Sequence, residues 1–226
     1  MSRTSPHAER KTLTRRRVID AAVELLDAAG EDGLTFRALA AKLETGHGAI
    51  QWHVASKGEL LVAATELVVA RALGRMDSAG SPQDAIRAVA LGVFDVIEAH
   101  PWVGAQMARP PWHATSLEVF ELIGRQVQAL GVPTDAQFTA TSALLVHIIG
   151  AGSQQARNAR SPEAALGRQE FLDQLAARWA ELDSEQYRFT RAAAGRLRDH
   201  DDRVEFLAGV DLILAGLTLR PEHEER

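Results

Sequence analysis

The segment Glu44-Thr45-Gly46-His47-Gly48-Ala49-Ile50-Gln51-Trp52-His53-Val54 runs directly into Ala55-Ser56-Lys57-Gly58-Glu59-Leu60. It sets two glycines, two histidines and a tryptophan within roughly three helical turns. Three chemistries are open to it: a metal site, a glycine loop around a phosphate, or a short helix that touches another molecule.

A metal site fails on geometry. His47 and His53 stand six residues apart, about 600° of helical rotation and so about 240° after one full turn. Two histidines on one helix share an ion at i, i+4 spacing, with further acidic or His partners. No metal and no other cofactor is expected. A phosphate loop fares little better. Gly46-x-Gly48 has no strand before it and lacks the remaining glycines, the Lys and the Ser/Thr of either nucleotide fingerprint.

The third option is a helix-turn-helix. Thr35 is placed to cap a short helix running to Leu43, a break follows at Glu44–Gly46, and a second short helix covers His47–Val54. Thr45, Ile50 and Val54 then point inward and His47, Gly48, Gln51 and Trp52 outward. In such a unit the second helix presents its N-terminal half to the DNA major groove. Gln pairs bidentately with adenine, His donates to or accepts from a base edge, and glycine lets the backbone approach closely. Lys57 opens the next helix, where free amides favour a phosphate. The competing reading is a small hydrophobic core with Trp52 buried and the histidines incidental.

The rest of the 226-residue chain reads as helical, with no useful strand alternation and no internal repeat. Thr14 caps a first helix that Gly30 ends, and Ser56-Lys57-Gly58-Glu59 is a capping box, with the Glu59 carboxylate expected on the Ser56 amide. Ser81-Pro82 and Ser161-Pro162-Glu163 are cap-plus-proline starts, while His100-Pro101 and Arg109-Pro110-Pro111 interrupt helices. The fold class expected is all-α, with nine to ten helices. Residues 1–57 form a basic arm and a helix-turn-helix domain, and residues 58–226 a ligand-binding and dimerising helical domain.

Charge divides along the same line. Residues 1–57 hold nine Lys/Arg against seven Asp/Glu, and the rest of a chain of net charge −5 therefore carries −7. A basic end on an acidic body suits a protein that offers one end to a polyanion, although a solubilising tail reads the same way. Cysteine is absent, which excludes disulfides and thiolate chemistry. No apolar run is long enough to span a membrane and no signal-peptide pattern opens the chain, so the expected location is cytoplasmic.

Two helices are apolar on more than one face. Leu144, Leu145, Val146, Ile148 and Ile149 cover most of the Thr134 helix, and Leu207, Val210, Leu214 and Leu217 stripe the last one. Either the domain is large enough to enclose both helices or they meet a second copy of themselves; a homodimeric four-helix interface is expected, built on Leu144, Ile148, Gly152, Val210, Leu214 and Leu217.

Residues from about 13 to 61 resemble the DNA-binding domain of the TetR family of transcriptional regulators. Matching pieces are Val18-Ile19-Asp20-Ala21-Ala22-Val23-Glu24-Leu25-Leu26, Gly33-Leu34-Thr35-Phe36-Arg37-Ala38-Leu39-Ala40, and Gln51-Trp52-His53-Val54 with Ser56-Lys57 and Leu60-Leu61. The Leu-Thr-x-Arg, Trp-His-Val and Lys-x-x-Leu-Leu elements are closest to the tetracycline-repressor branch, as are Phe189 and Glu205–Leu217. The resemblance implies that Arg37 and the helix carrying His47, Gly48, Ala49, Gln51, Trp52 and His53 touch double-stranded DNA. Lys57 would bind phosphate, with Arg15 and Arg16 helping from the basic arm. It implies a palindromic operator, a homodimer and a small-molecule effector held in the C-terminal bundle. The pattern departs from the family where the usual turn glycine is Glu44, the usual recognition tyrosine is Gln51, and Gly46 and Gly48 replace polar side chains. Glu44 near a phosphate would be costly unless it turned away or paired with Lys42.

For the effector, aromatic and polar groups around broken helices suggest a site of Trp102, Met107, Arg109, Trp112, His113, Phe120 and His147. Read structurally instead, the tryptophans are core and the prolines only end helices. The branch's magnesium-chelate chemistry is not implied, because its metal-binding His and Glu are missing near Ala105 and Gln154. The function expected is a ligand-responsive repressor. An activator of the same fold or a ligand-binding protein with a weakened DNA face stands as the alternative, and an enzyme is not expected, since the eight histidines form no catalytic motif.

Overall fold

Thr14 starts the first helix by accepting a hydrogen bond from the Arg17 amide, and Thr35 starts the second by accepting from the Ala38 amide at 3.0 Å. The computed structural model describes residues 13–74, 80–109, 113–160 and 167–218. Arg3, Arg10, Lys11, Pro110, Pro111, Trp112 and the Ser161-Pro162-Glu163 start lie outside the described residues. Those described form eleven α-helices and one 3-10 helix, with no strand among them.

The chain divides into two compact units, one through Leu67 and one from Val68. The first contains α1 (Arg15–Gly33), α2 (Phe36–Lys42), α3 (His47–Gln51) and the opening turns of α4 (Lys57–Leu73). The division falls later than residue 57 because Leu60, Leu61 and Ala64 of α4 are buried with the core of this unit. That core is Val18, Ala22, Leu26, Leu34, Leu39, Ile50 and Val54, all essentially inaccessible. Gly30, at φ 64° and outside helical geometry, breaks the first helix where the sequence places its end, and one further helical turn runs from there to Gly33.

The turn between α2 and α3 has a defined form. The Thr45 amide donates to the Ala40 carbonyl at 3.0 Å and the Glu44 amide to the Ala41 carbonyl at 3.3 Å. These are the paired bonds of a Schellman stop, whose central residue takes a left-handed conformation. At the end of α7 the same pair of bonds closes around Gly131, at φ 75°. Here the position holds Glu44, at φ 50°, the one non-glycine residue of positive φ among those described. Lys42 does not relieve it. That lysine pairs with Glu24 at 2.5 Å instead.

The second unit holds α5 (Pro82–Ala99), α6 (Trp102–Met107), α7 (Ala114–Ala129), α8 (Thr134–Asn158), α9 (Arg168–Ala180), α10 (Arg188–Ala193), the 3-10 helix Ala194–Asp199 and α11 (Asp202–Thr218). A complete capping box at Ser81 and Asp84, with Pro82 behind it, starts α5. The long α8 lies against α5, α6, α7 and α11, whereas α9, α10 and the 3-10 helix pack chiefly on one another.

The central position of α8 takes most of the residues expected at the interface into the protomer's own core. Leu144, Ile148, Gly152, Val210 and Leu214 are buried inside the protomer, and Leu217 is half-buried. The faces left outside carry Ala143, Val146 and Gly150 on α8 and Ala208, Leu212 and Ala215 on α11, with Val146 67 % and Leu212 75 % exposed. The longest aliphatic stripe of each helix goes to its own core, and the smaller-residue stripe is what remains.

Leu144→Ala should therefore lower the stability of the fold itself by about 2–5 kcal/mol, read by denaturant unfolding. At the turn, Glu44→Gly should raise stability by about 0.5–1 kcal/mol through relief of the left-handed backbone, net of the entropy glycine adds to the unfolded chain. A loss on Glu44→Gly would mean that the carboxylate holds something in place.

Candidate nucleic-acid interface

The interface is set by one buried residue, Ile50, in a helix of five residues. With Ile50 and then Val54 turned into the core, the helical period puts the other side chains outside. His47, Gly48, Ala49 and Gln51 are exposed, and His53 is half-buried. Trp52 is 88 % exposed, which settles its reading: it is not core.

Three local devices hold this face. The ring of Phe36, at the start of α2, lies 5.2 Å from that of His47, at the start of α3. Glu59 binds at both oxygens, accepting the Ala55 amide at 2.7 Å and the Arg15 guanidinium at 3.0 Å, while the Ser56 hydroxyl accepts the Glu59 amide. The capping box of α4 is thus shifted: the carboxylate takes the Ala55 amide rather than that of Ser56. The Ala55 amide first, and Arg15 next, hold the Glu59 carboxyl below its ordinary value. A carboxyl depressed by folding stabilises above its unfolded value and loses that contribution as pH falls through the folded one, so this tie loosens only in acid. The third device is Lys57, whose ammonium donates to the Glu31 carbonyl at 2.6 Å and so fastens the start of α4 to the end of α1.

The basic residues are placed unequally. Arg15 is joined to Glu59 and Arg16 to Asp20, both on exposed side chains. Arg37 stands exposed on the first turn of α2 with no ion pair among the described residues. Gly46 caps α3 without a side chain at φ −81°, and nothing lies within 4 Å of where a Cβ would sit on Gly46 or Gly48. The protein's own packing therefore demands glycine at neither position.

In the second unit, the expected effector residues are not gathered. Trp102 and Met107 are buried core. Arg109 is exposed, with its guanidinium 3.4 Å from the Gln106 side-chain oxygen, and His113 flanks α7. Phe120 packs on Phe138, and Trp112 lies outside the described residues. His147 sits elsewhere, between α8 and α11, its ring stacked 5.6 Å from Phe206 and its Nε2 3.2 Å from the Phe206 carbonyl oxygen. Phe206 in turn stacks on Phe94 of α5 at 4.4 Å. Around this aromatic column lie two adjoining cavities that sequence reasoning missed. One of 240 Å³ is lined by His147, Phe206, Glu205 and Gln154. The other, of 790 Å³, is lined by residues of α5, α8, α9 and α11. Phe94, Gln155, Asn158, His200 and Asp202 border both. A separate groove of 520 Å³ runs past Arg71, Leu91, Asp95 and His100.

Among the described residues no group of three or more acidic or histidine side chains is placed to hold a metal ion, and no helix is long and apolar enough to cross a membrane.

The pattern describing bacterial regulatory proteins of the tetR family matches residues 18–64. The solved structure of the transcriptional regulator SCO7222, a TetR from Streptomyces coelicolor, is 52 % identical, covers 92 % of this chain and 98 % of its own, and superposes with a TM-score of 0.82. An HTH-type transcriptional regulator of Saccharopolyspora erythraea is 29 % identical over 96 % of this chain and 87 % of its own length. BioQ, solved with its double-stranded DNA operator, is 28 % identical over 74 % of this chain and 99 % of its own, with a TM-score of 0.58. With a helix-turn-helix in the first unit and a helical second unit, the chain is no enzyme: it belongs to the TetR family of DNA-binding transcriptional regulators.

Proposed function

We propose that this chain is a repressor that binds a palindromic operator as a homodimer and is released from it by a small-molecule effector. The observation that carries the DNA face is the outward side of α3, where Gly48 is open and Trp52 almost wholly exposed, with nothing in the protein itself that requires either. Gln51 reads adenine, His47 a neighbouring base edge, and Trp52 makes apolar contact, for which the thymine methyl is the natural partner. Arg37 is the uncommitted cation beside them and meets phosphate. Lys57 keeps two donor protons beyond the one given to Glu31 and adds a second phosphate contact.

Dimerisation is the reading of the exposed α8 and α11 faces. Small residues at Ala143, Gly150 and Ala208 let two copies approach closely around Val146 and Leu212. Two recognition helices then address half-sites about 34–36 Å apart. Release follows if the effector binds one conformation of the dimer better than the other, and only to the extent of that difference.

Selection from random duplexes with the purified protein should return a two-fold symmetric site bound with a steep salt dependence, and recovery of no sequence preference would sink the reading. Gly48→Ala separates fold from interface. It should stabilise the helix by about 1 kcal/mol yet weaken operator binding. Equal or tighter binding would remove the close-approach argument. Val146→Asp should leave the chain folded but monomeric in sedimentation and defective on the palindrome. A Val146→Asp protein that stays dimeric would place the interface elsewhere.

A further inference from the structure

We infer that Glu44 determines specificity in the DNA contact: its carboxylate penalises complexes in which α3 sits out of register, without itself reading a base. The assignment rests on the operator reading above and gives a part to the residue at which the helix-turn-helix leaves ordinary backbone geometry.

Glu44 is kept where it is costly. Its φ of 50° is left-handed, a conformation that crowds any residue with a Cβ and that glycine takes freely. The matching stop at the end of α7 uses Gly131. Asn and Asp soften this strain with a short hydrogen bond to the nearby backbone. Glu44 has no such return: its exposed carboxylate makes no hydrogen bond and no ion pair among the described residues. Lys42, the closest cation in sequence, is taken by Glu24. The protein's own packing therefore calls for neither the side chain nor its charge, and strain held without an internal partner points to a role outside the fold.

The position of the charge gives that role. The Thr45 amide on the Ala40 carbonyl and the Glu44 amide on the Ala41 carbonyl fix the backbone on both sides, so the carboxylate is carried by a set turn. Gly46, the N-cap of α3, is two Cα steps away, at most about 7.6 Å. That is within the screening length of about 8 Å at physiological salt. Wherever the start of α3 enters a groove, the Glu44 charge therefore enters the field of the phosphates. The major groove is about 12 Å wide, with a strand on each side. A helix seated along its middle keeps a fixed anion as far from both strands as the groove allows. A tilted or displaced helix brings it towards one of them, and the repulsion rises as the separation falls. Binding to random sequence draws nearly all its strength from phosphates and samples many such poses, so the carboxylate weakens it more than it weakens the operator complex. The short α3 has use for this device, because Gly46, Gly48 and Ala49 offer no side-chain hydrogen bond to a base edge.

The test separates charge from strain. Glu44→Gln keeps the left-handed side chain and removes the charge, whereas Glu44→Gly relieves both. Each full-length variant is measured against the unchanged protein on the selected operator and on a random duplex of equal length, over a range of salt. Affinity for the random duplex should rise about three- to tenfold in both variants, and affinity for the operator less than about twofold. The salt slope on the random duplex should steepen by up to about one, with the operator slope unmoved. An equal rise on both duplexes makes Glu44 a general charge and overturns the proposal. So does a change in the ratio with Glu44→Gly alone, which would trace it to the backbone. Loss of operator affinity with the random duplex unchanged would make the carboxylate an acceptor for a base amine, and overturns it too. An unchanged protein that selects no sequence overturns this inference together with the operator reading; one that selects an operator and keeps its ratio on Glu44→Gln overturns this inference alone.

Discussion

Ile50 is fully buried, and that burial is what allows a helix of five residues to exist as a fixed element. Short helices have no stability of their own in water, since the first turn fixes several residues for one hydrogen bond. Here the deficit is met from outside the helix. Ile50 and Val54 sink into the core beside Leu34 and Leu39, the Schellman bonds fix the chain entering α3, and Glu59 and Lys57 fix the chain leaving it. Once Ile50 points inward, the direction of every other side chain on α3 follows from the helical period alone. The outward face of α3 is therefore held in place by residues that lie outside that face.

This dependence explains why the N-terminal unit was legible from sequence. Its signals are local: Thr14 and Thr35 three residues before the amides they cap, Ile50 and Val54 four apart, Glu44 where a glycine belongs. Each fixes a backbone position without any knowledge of distant residues. The amide bound by the Glu59 carboxylate was misassigned, because Ala55 lies beside Ser56 in sequence.

The same reasoning loses its grip on α8 and α11. Both are apolar around most of their circumference, so periodicity shows two candidate faces and does not say which goes to the core. Packing volume decides: Leu144, Ile148, Val210 and Leu214 fill the interior, and Val146, Leu212 and the small residues are left. The cleft was illegible for another reason. Its lining comes from positions as far apart as Phe94 and Arg203, and no local spacing links them. Pro101 marks where the chain turns between α5 and α6, and beside that turn the large side chains Trp102 and Met107 plug the core rather than line a void.

A recognition helix with so few long side chains poses a question of specificity. On the reading advanced above, Gln51 is the one side chain on its outward face able to make a bidentate base contact, and two glycines stand where other side chains would reach into the groove. Such a surface discriminates less by counting hydrogen bonds than by fit: backbone close to the groove floor, an indole against methyl groups, and Arg37 on phosphate. Fit of that kind fails sharply when the groove geometry is wrong, so the shape and deformability of the DNA at uncontacted positions enter the affinity. Glu44 works in the same direction. Its exposed carboxylate stands in a strained turn at the end of α2, and on that reading it disfavours a phosphate placed beside it. On that reading, a strained acidic residue where glycine is ordinary exchanges stability and affinity for rejection of the wrong site.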